Sequence, residues 1–314
     1  MLHSLRPNTT AYTPHPVKSS SSAQMFYRKL TLYGALVIGF GSLTVLLPWP
    51  LKLLAQLGLG AMFAHGIELE HELIHQRYFA GSWQRWVGTA LGLPLLVDFT
   101  RYQATHLHHH RALGTADDEE SFAYNFEQLA TPVGSFLHLS MVSHYWAVLQ
   151  RMGMALLCDR PALVADMGKT GGKLTAARLK EIQQGYWLFT GAIVLAVALS
   201  LTFHSTLALQ LWAMPLLFAS PIHALIELPE HWGCKPDSTD PFINSRTIQP
   251  SRFMDWFTNG NCWHVEHHAR PALPMHALSE LHRSHAAQIK HINYGYGDFL
   301  VQFWVALGQQ RSEA

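Results

Sequence analysis

Residues 51–75 read LKLLAQLGLGAMFAHGIELEHELIH, and this stretch decides how the rest of the chain is read. Over 51–67 it is apolar, with Lys52 as its one charge. It ends on His71-Glu72-Leu73-Ile74-His75. Residues four apart share a helix face, so both imidazoles can address one site. An apolar helix that delivers metal-binding side chains at its end points to a membrane protein with its chemistry at the lipid boundary.

A second apolar stretch, 30–47, precedes it, and Pro48-Trp49-Pro50 separates the two. A hydrocarbon core needs about 20 helical residues per crossing, so the pair reads as a hairpin turning at the prolines. Residues 182–226 carry no charged side chain. They can hold two more crossings, with His204-Ser205-Thr206 as the turn. The expected fold is an all-α integral membrane protein with four transmembrane helices in two hairpins and a cytosolic helical cap. The apolar patch at 86–97 is too short to span. That at 129–150 is interrupted by Pro132, Gly134, His138 and His144 and reads as interfacial or buried in protein. Residues 1–25, rich in Pro, Ser and Thr, read as a flexible tail without a signal peptide. Residues 26–300 read as one membrane-embedded domain and 301–314 as a C-terminal tail.

Composition agrees. Of 314 residues, 49% are hydrophobic and 14% charged, against about 25% charged in soluble domains. A net charge of +1 gives no reason to expect nucleic acid. Cys158, Cys234 and Cys262 form neither a disulfide framework nor a CxxC pair. Of the 22 Lys and Arg, only Lys52 falls in an outer loop of the four-crossing topology. The positive-inside rule then places the termini and every histidine cluster in the cytoplasm.

Histidine is the anomaly, at 21 residues. After HELIH come His106-Leu107-His108-His109-His110 and His264-Val265-Glu266-His267-His268, both containing HxxHH. A fourth element is Glu230-His231-Trp232-Gly233. The expected ligands are His71, His75, His106, His109, His110, His231, His264, His267 and His268. Nine are too many for one tetrahedral ion; over two metals they give four or five nitrogens each. Imidazole alone does not choose among zinc, copper, iron and nickel. Glu72, Glu227, Glu230, Glu266, Asp117 and Asp118 are expected to orient the imidazoles through their second ring nitrogen. His108 is read as facing away, His65 as a core or supporting residue, and His223 as the substitute should His231 not bind. Asn259 and Asn261 could hold a metal-bound water. His276, His282, His285 and His291 are read as interfacial.

HELIH, HLHHH and HVEHH resemble, in order and spacing, the histidine boxes of membrane fatty acid desaturases and the related alkane hydroxylases, from about residue 30 to 282. Glu230-His231-Trp232-Gly233 is similar to a ligand-bearing segment of the hydroxylases. Asn244-Ser245-Arg246-Thr247 and Arg270-Pro271 with Pro274 resemble bacterial acyl desaturases. The resemblance implies two iron ions as cofactor, O2 and two external electrons, and attack on an unactivated C–H bond of a fatty acyl chain. It favours desaturation, with hydroxylation or acetylenation as the alternative, and implies a bacterial inner-membrane location. The acyl carrier (lipid, carrier protein or CoA) stays open. No HPGG haem motif or four-cysteine cluster is present, so a ferredoxin or similar partner is expected to deliver electrons.

Three rival readings are weaker. HELIH is also the zinc-protease HExxH, but a protease leaves both HxxHH copies unexplained. Carboxylate di-iron bundles need ExxH on two helices, whereas Glu68–His71 and Glu72–His75 share one. A transporter would place its site near the bilayer midplane.

Overall fold

The computed structural model describes residues 19–118 and 126–313. Sixteen helices follow one another in the described residues. α1 (Ser19–Leu46) and α2 (Leu51–His75) turn at the prolines. α3 (Trp83–Gly92) and α4 (Phe99–Ala112) carry the chain to the second histidine box, and α5 (Phe126–Leu129), α6 (Pro132–Leu139) and α7 (Val142–Leu156) follow. After α8 (Arg160–Asp166) and α9 (Gly168–Gly171), the long α10 (Ala176–Thr202) precedes α11 (Met214–Glu227). The C-terminal region comprises α12 (Pro241–Asn244), α13 (Arg252–Phe257), α14 (His264–Ala269), α15 (Leu278–His285) and α16 (Tyr296–Glu313). β1 (Arg246–Ile248) and β2 (His291–Asn293) pair in parallel, Thr247 opposite Ile292.

Among the described residues, three helical segments are long and apolar enough to cross a membrane: Ser21–Leu46, Ala176–Thr202 and Leu209–Glu227. α2 is as long, but its last turns carry Glu68, Glu70 and Glu72, all buried. It lies against α1 and α11 and is enclosed over most of its second half. The α2–α11 approach needs a glycine: a Cβ on Gly60 would lie 2.5 Å from the Pro215 carbonyl oxygen. By contrast, α10 exposes Val194, Leu195, Val197, Leu199 and Leu201. Apolar surface turned outward along a helix long enough to span suits contact with lipid.

No helix within region 129–150 is long enough to span. α6 and α7 have 8 and 15 residues and break at Met141, which sits at φ 53°; about 20 are needed to span. Both expose apolar side chains, among them Val133, Phe136, Trp146 and Leu149. α3 is equally short, at 10 residues. At the ends, helix extends into both expected tails. Residues 1–18 lie outside the described residues, but α1 already begins at Ser19, and Phe26 packs on Tyr78. α16 runs to Glu313, and its Phe299, Phe303 and Leu307, spaced one turn apart, bury against a cluster that includes Trp232.

Candidate metal centre

The boxes ride on three elements of different origin. HELIH is the last turn of α2, the second box is the end of α4, and the third is α14. α4 starts where it does because Asp98 caps it, Oδ1 accepting the Arg101 N–H at 2.8 Å. The nine expected ligands come together in two groups. In the first, ligand atoms of His71, His75, His106, His110 and His267 all lie within 4.8 Å of one another. In the second, His109, His231 and His268 do the same. His264 joins it, its Nε2 lying 3.0 Å from the Nε2 of both His231 and His268.

Helical geometry explains the sorting. In each HxxHH, residue i+4 is displaced about 40° from i around the axis in one direction and i+3 about 60° in the other. His106 and His110 therefore enter the first group and His109 the second. In α14 the order inverts: His264 and His268 enter the second group and His267 the first. Each HxxHH box thus contributes to both groups, while HELIH serves the first alone, and the groups touch where the His110 and His268 rings lie 4.2 Å apart.

The ring nitrogens facing outward fix the tautomers. His109 Nδ1 lies 2.8 Å from Asp118 Oδ1. His231 Nδ1 lies 3.0 Å from the Asn244 carbonyl oxygen and 2.9 Å from its Oδ1. His264 Nδ1 lies 3.3 Å from Asn261 Oδ1, and Asn261 donates to Glu230 at 2.7 Å. Where Nδ1 donates to oxygen, Nε2 keeps a lone pair. His231 and His264 therefore bring two lone pairs to 3.0 Å of each other, an arrangement that a shared cation stabilises. Burial, followed by neighbouring imidazoles, pushes His106, His264, His267 and His268 well below the usual histidine range and lowers His110 likewise. They are neutral, as metal ligands must be. The donor set is all nitrogen and large enough for two metals, so the residues present fit a dinuclear centre.

Among the carboxylates proposed as orienting partners, Asp118 contacts a box histidine through its second nitrogen, and Glu230 lies 3.6 Å from His264 Nε2. Glu72 instead holds Tyr78 and Asn259, at 2.8 and 2.9 Å. Glu266 accepts from Thr247 at 2.7 Å and meets His282 Nδ1 at 2.5 Å. Asp117 pairs with Lys169, while its backbone oxygen meets His108 Nε2 at 2.9 Å, so His108 points away from the centre. Glu119 and Glu120 of the same acidic run lie outside the described residues. Glu227 groups with Glu68 and His223, all buried, on the α2–α11 contact. His65 is a core residue, its ring tilted against Trp256 and stacked on Phe257, with Nδ1 2.6 Å from the Phe257 carbonyl oxygen. Asn259 accepts from Lys29 and donates to Glu72. Asn244 and His282 were missed as supporting residues. Asn244 lies in the Asn-Ser-Arg-Thr run ahead of the third box, but no spacing ties it to His231, 13 residues earlier.

Beside the centre lies a cavity of about 600 Å³. Tyr102, whose ring stands 5.5 Å from that of His106, forms the wall between them. Leu96, Leu137 and Met141 contribute apolar surface, and Arg101 and Arg151 polar surface.

The fatty acid desaturase family model matches residues 47–299. The Delta(5) fatty acid desaturase fat-4 of Caenorhabditis elegans is 30% identical over 74 residues. That alignment covers 23% of this chain and 17% of the nematode protein. The matched region contains all three boxes, the Glu230-His231 element and the cavity. With its histidines gathered into one buried nitrogen-lined centre, the chain belongs to the fatty acid desaturase family.

Proposed function

We propose that this protein is a membrane-embedded oxidoreductase that desaturates a fatty acyl chain, using O2 and electrons from a separate carrier such as a ferredoxin. The observation that carries the reading is the pair of touching histidine groups, five and four strong, within a fatty acid desaturase domain. Two bound irons would supply the oxidising power needed to remove hydrogen from an unactivated C–H bond. The chain's own residues do the rest. The nine imidazoles would hold the metals, while Asp118, Asn244 and Asn261 fix ring orientation through Nδ1. The 600 Å³ cavity is of ligand size and would hold the acyl chain against Tyr102.

α2 serves as a fourth crossing in this reading, because its 25 residues exceed the about 20 that a crossing needs and its acidic end is enclosed by protein. The metal centre then sits on the side that carries nearly all the basic residues, the cytoplasmic side. Hydroxylation is the second reading. It is favoured by His231, which belongs to the hydroxylase-like fourth element and stands 3.0 Å from His264.

The test is expression in a host of defined lipid composition, followed by mass analysis of all acyl species, with metal content and O2 uptake measured on the purified protein. Desaturation lowers the product mass by about 2 units and hydroxylation raises it by about 16. One zinc per chain without O2 uptake would refute the oxidoreductase reading.

A further inference from the structure

We propose that Arg101 and Arg151 form a carboxylate-binding subsite in the cavity wall, so that the substrate is a free fatty acid whose head group is held inside the protein. The inference rests on the reading of this cavity as the acyl site. Arg151 Nε donates to Asp166 Oδ2 at 2.7 Å, and Arg101 Nη2 reaches the same oxygen at 3.5 Å. One carboxylate oxygen thus serves two guanidiniums, so Asp166 offsets one of the two positive charges, while the Tyr186 hydroxyl meets Arg151 and Asp98 lies close enough to Arg101 to feel its charge. The side chains of Arg101, Arg151 and Asp166 are 17%, 13% and 20% exposed, so the trio is largely removed from water. Arg101 Nε is buried and meets no hydrogen-bond partner among the described residues.

A buried, underpaired guanidinium carries a desolvation cost that an incoming anion removes. The planar fork suits a carboxylate, which can accept two parallel N–H bonds from one arginine. Both arginines line the same cavity as Leu96, Leu137, Met141 and Val148. One cavity therefore offers two guanidiniums and apolar wall, alongside further polar side chains such as His138 and His144, so both parts of a fatty acid find a partner in it.

The acidic residues of the lining do not cancel the subsite. Asp98 turns Oδ1 to the Arg101 backbone N–H and Oδ2 towards α10, where a Cβ on Gly185 would meet it at 1.7 Å. Burial also pushes its carboxyl up to about 7. Glu227 lies on the α2–α11 side, grouped with Glu68 and His223. An acyl chain carried on lipid, CoA or carrier protein has no free carboxylate and would place its bulky head outside this cavity.

The test measures equilibrium binding of radiolabelled octanoate, dodecanoate and octadecanoate, with their methyl esters and CoA thioesters, to the iron-loaded full-length protein in lipid nanodiscs. The expected result is preference for a free acid over its ester, and weakening of acid binding by roughly ten- to a hundredfold in Arg101→Gln and Arg151→Gln, the range for losing a hydrogen bond to a charged group. Ester binding should be unchanged in both variants, and Arg151→Lys should recover part of the loss. Should a glutamine variant fail to fold, the acid-to-ester comparison on the wild-type protein decides alone. Equal binding of acid and ester, or acid binding unaffected by both substitutions, overturns the subsite. If esters or thioesters are bound and oxidised while acids are not, the subsite falls and the acyl-oxidation reading stands. If no acyl species binds or is oxidised, both fall.

Discussion

A single step along α14 moves an imidazole from one histidine group to the other. His267 faces His71, His75, His106 and His110, whereas His268 faces His109, His231 and His264. His267→Ala should therefore deplete the five-histidine group and His268→Ala the four-histidine group, each leaving the second metal in place. Metal analysis with Mössbauer spectroscopy would show two different residual irons; the same residual signal in both variants would refute the sorting. Asp118 acts one bond further out. It accepts from His109 Nδ1 and is itself held by the Gly114 N–H at 3.2 Å. Asp118→Ala should weaken metal binding by about 10- to 100-fold, the usual cost of losing such a partner, as read by competition with a chelator. Asn244→Ala should do the same at His231, because Oδ1 is lost; the remaining Asn244 carbonyl oxygen makes the smaller end of that range the expectation.

At the scale of elements, the part legible in the sequence is the part set by local chemistry. Pro48-Trp49-Pro50 and His204-Ser205-Thr206 mark both long-helix turns, because prolines and polar residues interrupt otherwise charge-free runs. The spacing within HELIH and HxxHH placed all three boxes on helices for the same reason. Pairings between distant segments were not legible. β1 and β2 join residues 246 and 291 in register, and no pattern in three-residue strands announces a partner. Nor does any spacing reveal that Asn244 rather than a glutamate holds His231, since that depends on how the loop after α11 folds back. Gly60 lies between these cases: it is one glycine among several in α2, yet the α2–α11 contact closes over it. Gly60→Ala would push a Cβ to 2.5 Å from the Pro215 carbonyl oxygen and 2.9 Å from Phe218 Cβ. Backbone cannot swing aside as a side chain does, so a loss of about 1–3 kcal/mol is expected, measured as a lower thermal midpoint in a fixed detergent. Gly34→Ala, with nothing within 4 Å of the added Cβ, serves as the control and should leave that midpoint unlowered.

Across the whole molecule, the histidine excess makes folding depend on protons as well as on metal. His106, His110, His264, His267 and His268 titrate well below the ordinary value of 6.5, first through burial and then through one another. His144, outside the centre, is lowered to about 4, again chiefly by burial. A group with a depressed folded-state pKa binds fewer protons folded than unfolded, so stability rises with pH between the two values. For histidine the stabilising contribution is complete above about 6.5 and is lost as pH falls from there towards the folded value. Many such groups act together, so the metal-free protein should lose thermal stability steeply between about pH 7 and 5. Bound metal opposes the loss, because it stabilises the same neutral imidazoles that protons attack. Replacing His264, His267 and His268 together with glutamine should flatten the pH dependence of the metal-free form, since glutamine takes up no proton on unfolding. Equal slopes in the wild-type and triple-variant proteins would mean that these imidazoles already carry protons when folded, and neutral ligands could then not be the reason the nine histidines are buried together.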